Sequence, residues 1–161
     1  MGVEDGLVLT DRDGDSADPK YGNNTSQRGD YVKARVTGSY TFYVVYSQTD
    51  FLGSSRIVRN RCTEDVGFVI RSFQGRDKQG IVLFTHVNYC GQAGQFIARD
   101  DDITDMFPNG GEGASSAITC TGKWRLYKET NCNGPVIQDL EAGTDSPKLA
   151  RNNKCKSLKS I

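Results

Sequence analysis

Tyr46-Ser47-Gln48-Thr49-Asp50-Phe51-Leu52-Gly53 holds an aromatic ring, a second ring five residues on and a glycine seven on. The same ruler fits Phe84-Thr85-His86-Val87-Asn88-Tyr89-Cys90-Gly91. It fits Tyr127-Lys128-Glu129-Thr130-Asn131-Cys132-Asn133-Gly134 once Cys132 stands in for the middle ring. A strand that ends in a ring, reverses sharply and packs a second ring over the first leaves this signature. Glycine belongs where the bend needs positive φ or has no room for a Cβ. One copy carries nothing, but three copies whose starts lie 38 and 43 residues apart define an internal repeat. That period accommodates about four short strands with their turns.

Outward from the ruler, β-branched and aromatic residues recur in short runs. Tyr40–Tyr46, Phe68–Phe73, Ile81–Val87, Trp124–Tyr127 and Ser157–Ile161 read as strands, because such side chains suit a pleated surface with a buried face. Gly6–Leu9 and Tyr31–Val36 supply an entering and a closing strand for a further, degenerate copy within residues 3 to 37. No long window shows apolar residues at helical spacing, and the composition has 18 Gly against 4 Pro, so the chain reads as all-β. The polar, charged stretch Gly75–Gly80 is the expected linker.

Bulk properties narrow the function classes. Of 161 residues, 36% are hydrophobic, enough for small cores rather than for a large enzyme core. Twenty basic and twenty acidic residues cancel, which gives neither nucleic acid nor an anionic membrane an electrostatic foothold. The first thirty residues lack a basic leader with an apolar core, and no run approaches eighteen apolar residues. Five cysteines, an odd number without C-x-x-C spacing, read as free thiols of a reducing compartment. The expectation is a cytoplasmic protein, monomeric or weakly self-associating.

The three rulers resemble the Greek-key motif of the βγ-crystallin superfamily, which also carries a serine in its closing strand. Ser116 before Ala-Ile and Ser157 before Leu-Lys-Ser-Ile fit that serine in the third and fourth copies, whereas the second copy shows Phe68 at the place read for it. The resemblance is to simple invertebrate members rather than to vertebrate lens proteins. The resemblance implies two domains, residues 1–75 and 79–161, each a β-sandwich of two intercalated Greek keys, with the second motif at 39–74. A β-trefoil, which also repeats at about forty residues, is the alternative fold. The implied function is structural and non-enzymatic, with stability and solubility as its content. A secreted glycan-binding or inhibitor module on a similar scaffold is the alternative, marked by an upstream leader, a glycosylated Asn23 or paired cysteines.

The resemblance further implies calcium as partner, held weakly by loops reading Asn/Asp, Asn/Asp, two variable residues, Ser/Thr/Asp, then Ser. The corresponding stretches are Ser26–Tyr31, Thr63–Phe68, Gly111–Ser116 and Asn152–Ser157, and none is intact. With sites built from two motifs, Asn153, after Asn152, would pair with Ser115, and Glu64 or Asp65 with Asp30. Lys156 would bring an ammonium where an oxygen is needed, and Gly67 brings no side chain.

Other candidates read as ordinary surface. Asp11-Arg12-Asp13-Gly14-Asp15 starts like an EF-hand loop but lacks its later ligands, so a solvated hairpin tip is expected. Asp100-Asp101-Asp102 reads as an exposed loop, and the sequons at Asn23 and Asn24 matter only in a secreted chain. His86 is the single histidine, and no nucleophile, base and orienting partner assemble around it from spacing.

Overall fold

The computed structural model describes residues 6–106, 113–152 and 154–161. The chain divides into two compact units, the first ending at Lys78 and the second beginning at Gln79.

The first unit contains β1 (Leu7–Asp11), β2 (Tyr31–Val36), β3 (Thr41–Tyr46), β4 (Ser55–Val58), β5 (Glu64–Asp65) and β6 (Ser72–Asp77). β2 alternates cleanly: Val32, Ala34 and Val36 are buried while Tyr31, Lys33 and Arg35 are half-exposed, the period-two signature of a strand with one face on a core. Two antiparallel sheets form, in the orders β1-β2-β5 and β4-β3-β6. Each sheet takes its outermost member from the other motif. β5, from the second motif, pairs with Lys33 and Ala34 of β2, and Asn24, from the first, bridges Phe73 of β6. Leu7, Leu9, Ala34, Tyr43, Val45, Ile70 and Phe73 meet between the sheets. The first motif, degenerate as a sequence, thus still delivers its part: Ser16 and Lys20 bridge back to β1, and β2 closes it.

The second unit repeats the plan with β7 (Ile81–Phe84), β8 (Ala93–Phe96), β9 (Ser116–Thr119), β10 (Lys123–Tyr127), β11 (Val136–Glu141), β12 (Thr144–Ser146) and β13 (Ser157–Ser160). Its sheets run β12-β9-β7-β8 and β11-β10-β13. β12 comes from the later motif, and Asp100 of the earlier one exchanges both backbone hydrogen bonds with Leu158 of β13. Trp124, Leu126, Leu140 and Leu158 pack against Ile81 and Leu83, each buried side chain contributing about 1.5–3 kcal/mol before its ordering cost. Trp124 also donates Nε1–H to Thr121 O at 2.8 Å, so its one polar atom is satisfied.

Paired intercalated Greek keys exclude the threefold trefoil. Two local readings change. The expected strand Phe68–Phe73 shifts to Ser72–Asp77, because residues 67 to 71 form the approach loop rather than the strand. β6 also takes up the first half of the expected linker: Gly75, Arg76 and Asp77 pair with Tyr43, Phe42 and Thr41.

Candidate functional site

The repeated ruler folds into the same reversal three times. Asp50 and Phe51 (φ 59° and 61°), Asn88 and Tyr89 (56° and 60°), and Asn131 and Cys132 (60° and 52°) all occupy the left-handed region. For residues with a Cβ this conformation costs roughly 1–2 kcal/mol, least for Asp and Asn, so each hairpin must be held.

A serine holds it. Ser72 Oγ accepts the N–H of Phe51 at 3.0 Å and donates to Gln48 O at 2.5 Å. Ser116 does the same between Tyr89 N (3.0 Å) and His86 O (2.6 Å). Ser157 joins Cys132 N (2.9 Å) to Glu129 O (2.5 Å). All three serines are fully buried. Ser72, not the position of Phe68, is therefore the closing serine of the second motif. The next N–H up the bend docks on the other motif of the same unit: Asp50 N on Thr25 O, Asn88 N on Pro147 O and Asn131 N on Asp101 O, at 2.6–2.8 Å. Rings complete two reversals, with centroids 5.7 Å apart for both Tyr46–Phe51 and Phe84–Tyr89. In the fourth motif Cys132 offers no ring, and Lys159 Nζ lies 5.6 Å from the Tyr127 ring centroid. In the first motif the reversal is a tight turn: Asp11 Oδ1 accepts the N–H groups of Asp13 and Asp15, and Gly14 takes φ 90°. The EF-hand-like stretch is thus a hairpin tip whose leading carboxylate serves its own backbone.

The expected calcium residues are placed as follows. Asp30 is followed by the closing strand β2, and its Oδ1 lies 3.6 Å from Arg71 Nη2; Arg71 Nη1 also donates to Gly29 O at 2.8 Å. Glu64 faces Arg56 (3.7 Å) and Asn60 (3.3 Å), and Asp65 Oδ1 accepts Gly67 N–H at 2.8 Å. Glu64 and Asp65 sit opposite Ala34 and Lys33, which puts them roughly 10–13 Å along the strand from Asp30. The structure does not bring them together. With Ser72 as the closing serine, the second loop reads Gly67-Phe68-Val69-Ile70-Arg71-Ser72, and its fifth position carries a guanidinium. Arg71 already supplies a cation to the oxygens of Gly29 and Asp30, so this pair of loops does not fit calcium.

In the second unit Ser115 is buried and donates its hydroxyl to Thr85 O at 2.8 Å. Asn152 lies in an exposed turn, while Asn153 and Glu112 lie outside the described residues. The charge of Lys156 helps hold Asp102 below the usual carboxylate range; the larger causes are the hydroxyl and N–H of Thr104, at 2.5 and 3.0 Å. Among the described residues, no three His, Cys, Asp or Glu side chains gather as a metal cluster. Of the Asp100–Asp102 stretch, Asp101 and Asp102 are exposed, while Asp100 is half-buried and bonds to Leu158 at the edge of a sheet.

Geodin from Geodia cydonium, described as a βγ-crystallin, matches this structure with a TM-score of 0.83 at 22% identity, over 99% of this chain and all of geodin. The fold is that of the βγ-crystallins. βγ-Crystallins from an archaeon (24% identity, TM-score 0.44) and from Ciona intestinalis (21%, 0.45) each align with 50% of this chain and with 95% and 98% of their own. No protein-family model matches the sequence, and no curated protein does. On this βγ-crystallin fold Asn23, Asn24 and His86 serve the scaffold. Asn23 Oδ1 accepts from Gly75 N and Arg76 Nη1, at 3.0 and 3.1 Å. Asn24 Oδ1 caps Ser26 N–H at 2.8 Å. His86 is exposed and contributes its backbone carbonyl to the Ser116 clamp. Among the described residues, no helix is long and apolar enough to cross a membrane.

Proposed function

We propose that the chain is a non-enzymatic structural protein whose working property is a durable folded state. The threefold serine clamp carries this reading: buried hydroxyls that another fold would offer to a substrate are committed to holding backbone reversals closed. Calcium is the partner of a secondary role, confined to the second unit at Ser115 and the Asn152-Asn153 loop, with affinity of roughly 10⁻⁵ to 10⁻³ M for so few charged ligands. Thermal unfolding with chelator and with millimolar calcium tests both parts. Calcium at a hundred times its dissociation constant raises stability by about 2.7 kcal/mol, and the rise is to be seen in Trp124 fluorescence, which reports the second unit. Superimposable curves remove calcium from the reading, and a low cooperative midpoint in both buffers removes the structural role.

A further inference from the structure

We propose a binding site for a small aromatic anion on the first unit, where Arg12, Val32, Lys33, Asp65, Gly67 and Phe68 line an open hollow of about 340 Å³. That volume is at the lower end of the range for small-ligand clefts, about 300–1,000 Å³. Its charges do not cancel. Arg12 and Lys33 bring two cations against one carboxylate, and that carboxylate, Asp65, already accepts the Gly67 N–H at 2.8 Å. Neither cation makes an ion pair within the structure among the described residues. Lys33 lies between Thr10 of β1 and Asp65 of β5, so its strand position is fixed by pairing on both sides. Phe68 packs partly on the core and also lines the hollow, giving it a flat apolar wall. Gly67 has φ 86° and no atom within 4 Å of where a Cβ would point, leaving the turn open to close approach. A ring laid on Phe68 with its carboxylate or phosphate between Arg12 and Lys33 uses all of these features.

The test is NMR titration of the ¹⁵N-labelled full chain with AMP, with adenosine and inorganic phosphate as comparators. Shifts confined to the amides of Arg12, Lys33, Gly67 and Phe68, with Kd of about 1 mM, are expected, and both comparators should bind more weakly. The double variant Arg12→Gln/Lys33→Gln changes side chains that are exposed and half-exposed, so its melting and remaining spectrum should match the parent while affinity falls about tenfold. Absence of shifts at about 10 mM AMP overturns the proposal. So do shifts that survive the double substitution, and so does phosphate or adenosine alone matching AMP.

Discussion

Replacing Ser116 by Ala deletes one oxygen and leaves two half-buried backbone groups without their partner. The lost bonds are those accepted from Tyr89 N at 3.0 Å and donated to His86 O at 2.6 Å. A typical bond contributes a net of about 0.5–1.5 kcal/mol. Tyr89 and Asn88 would retain their left-handed backbone, φ 60° and 56°, without the contact that holds it. Two such bonds give a destabilisation of about 1–3 kcal/mol, or on the order of 5–15 °C in Tm for a unit of this size. Urea unfolding followed by Trp124 fluorescence measures it, because the single tryptophan is 2% exposed and lies in the same unit. A midpoint equivalent to less than about 0.5 kcal/mol of change, well under the worth of one hydrogen bond, would refute the clamp: the reversal would then be holding itself.

Gly91→Val should destabilise the second unit by about 1–3 kcal/mol or more, since a Cβ there would overlap Thr85 Oγ1 and crowd His86 at φ 78°; an unchanged Tm would count against the bend. Arg71→Ser should cost the first unit no more than about 1 kcal/mol, because its ion pair with Asp30 is solvent-exposed; near-ultraviolet circular dichroism of the first unit's tyrosines during melting measures the loss. Thiol labelling at pH 8 should modify exposed Cys62 first and Cys155 only on unfolding, since burial pushes the Cys155 thiol up to about 12. Asp139, bonded to Arg125 at 2.8 Å through each carboxylate oxygen, and Asp102, bonded to Thr104, are both held below the ordinary carboxylate value. A depressed folded pKa stabilises above the unfolded value of about 3.9 and ceases to do so as pH falls through the folded one. Second-unit stability should therefore be flat from neutrality to about pH 5 and decline below about 4, with Asp139→Asn shallowing the acid limb.

The sequence made the reversals legible because ring, ring and glycine recur at fixed spacing, and it made two of the three clamps legible because Ser116 and Ser157 open obvious apolar strands. Ser72 escaped because Phe68-Val69-Ile70 resembles a strand more than Ser72-Phe73-Gln74-Gly75 does. β propensity lost there to the pairing of β6 with β3, which fixes Ser72 opposite Tyr46. That slip of four residues also displaced the expected metal loop from Arg71 to Glu64 and Asp65, making a cation-bearing loop look acidic. The first motif was found only by its strands, since its tight turn at Asp11–Asp15 needs no rings. Asp50, Asn88 and Asn131 are a further signal in the sequence: Asp and Asn are the residues that tolerate positive φ beside a bulky neighbour.

The strand exchange sets a timetable for synthesis. When the ribosome has released β7, β8 and β9, the outer edge of β9 still shows unpaired N–H and C=O groups, and it is covered only after Thr144–Ser146 emerges. Such an edge invites a neighbouring nascent chain to supply the missing strand. That edge stays open from the emergence of β9 until the emergence of β12, and slow translation there lengthens the exposure.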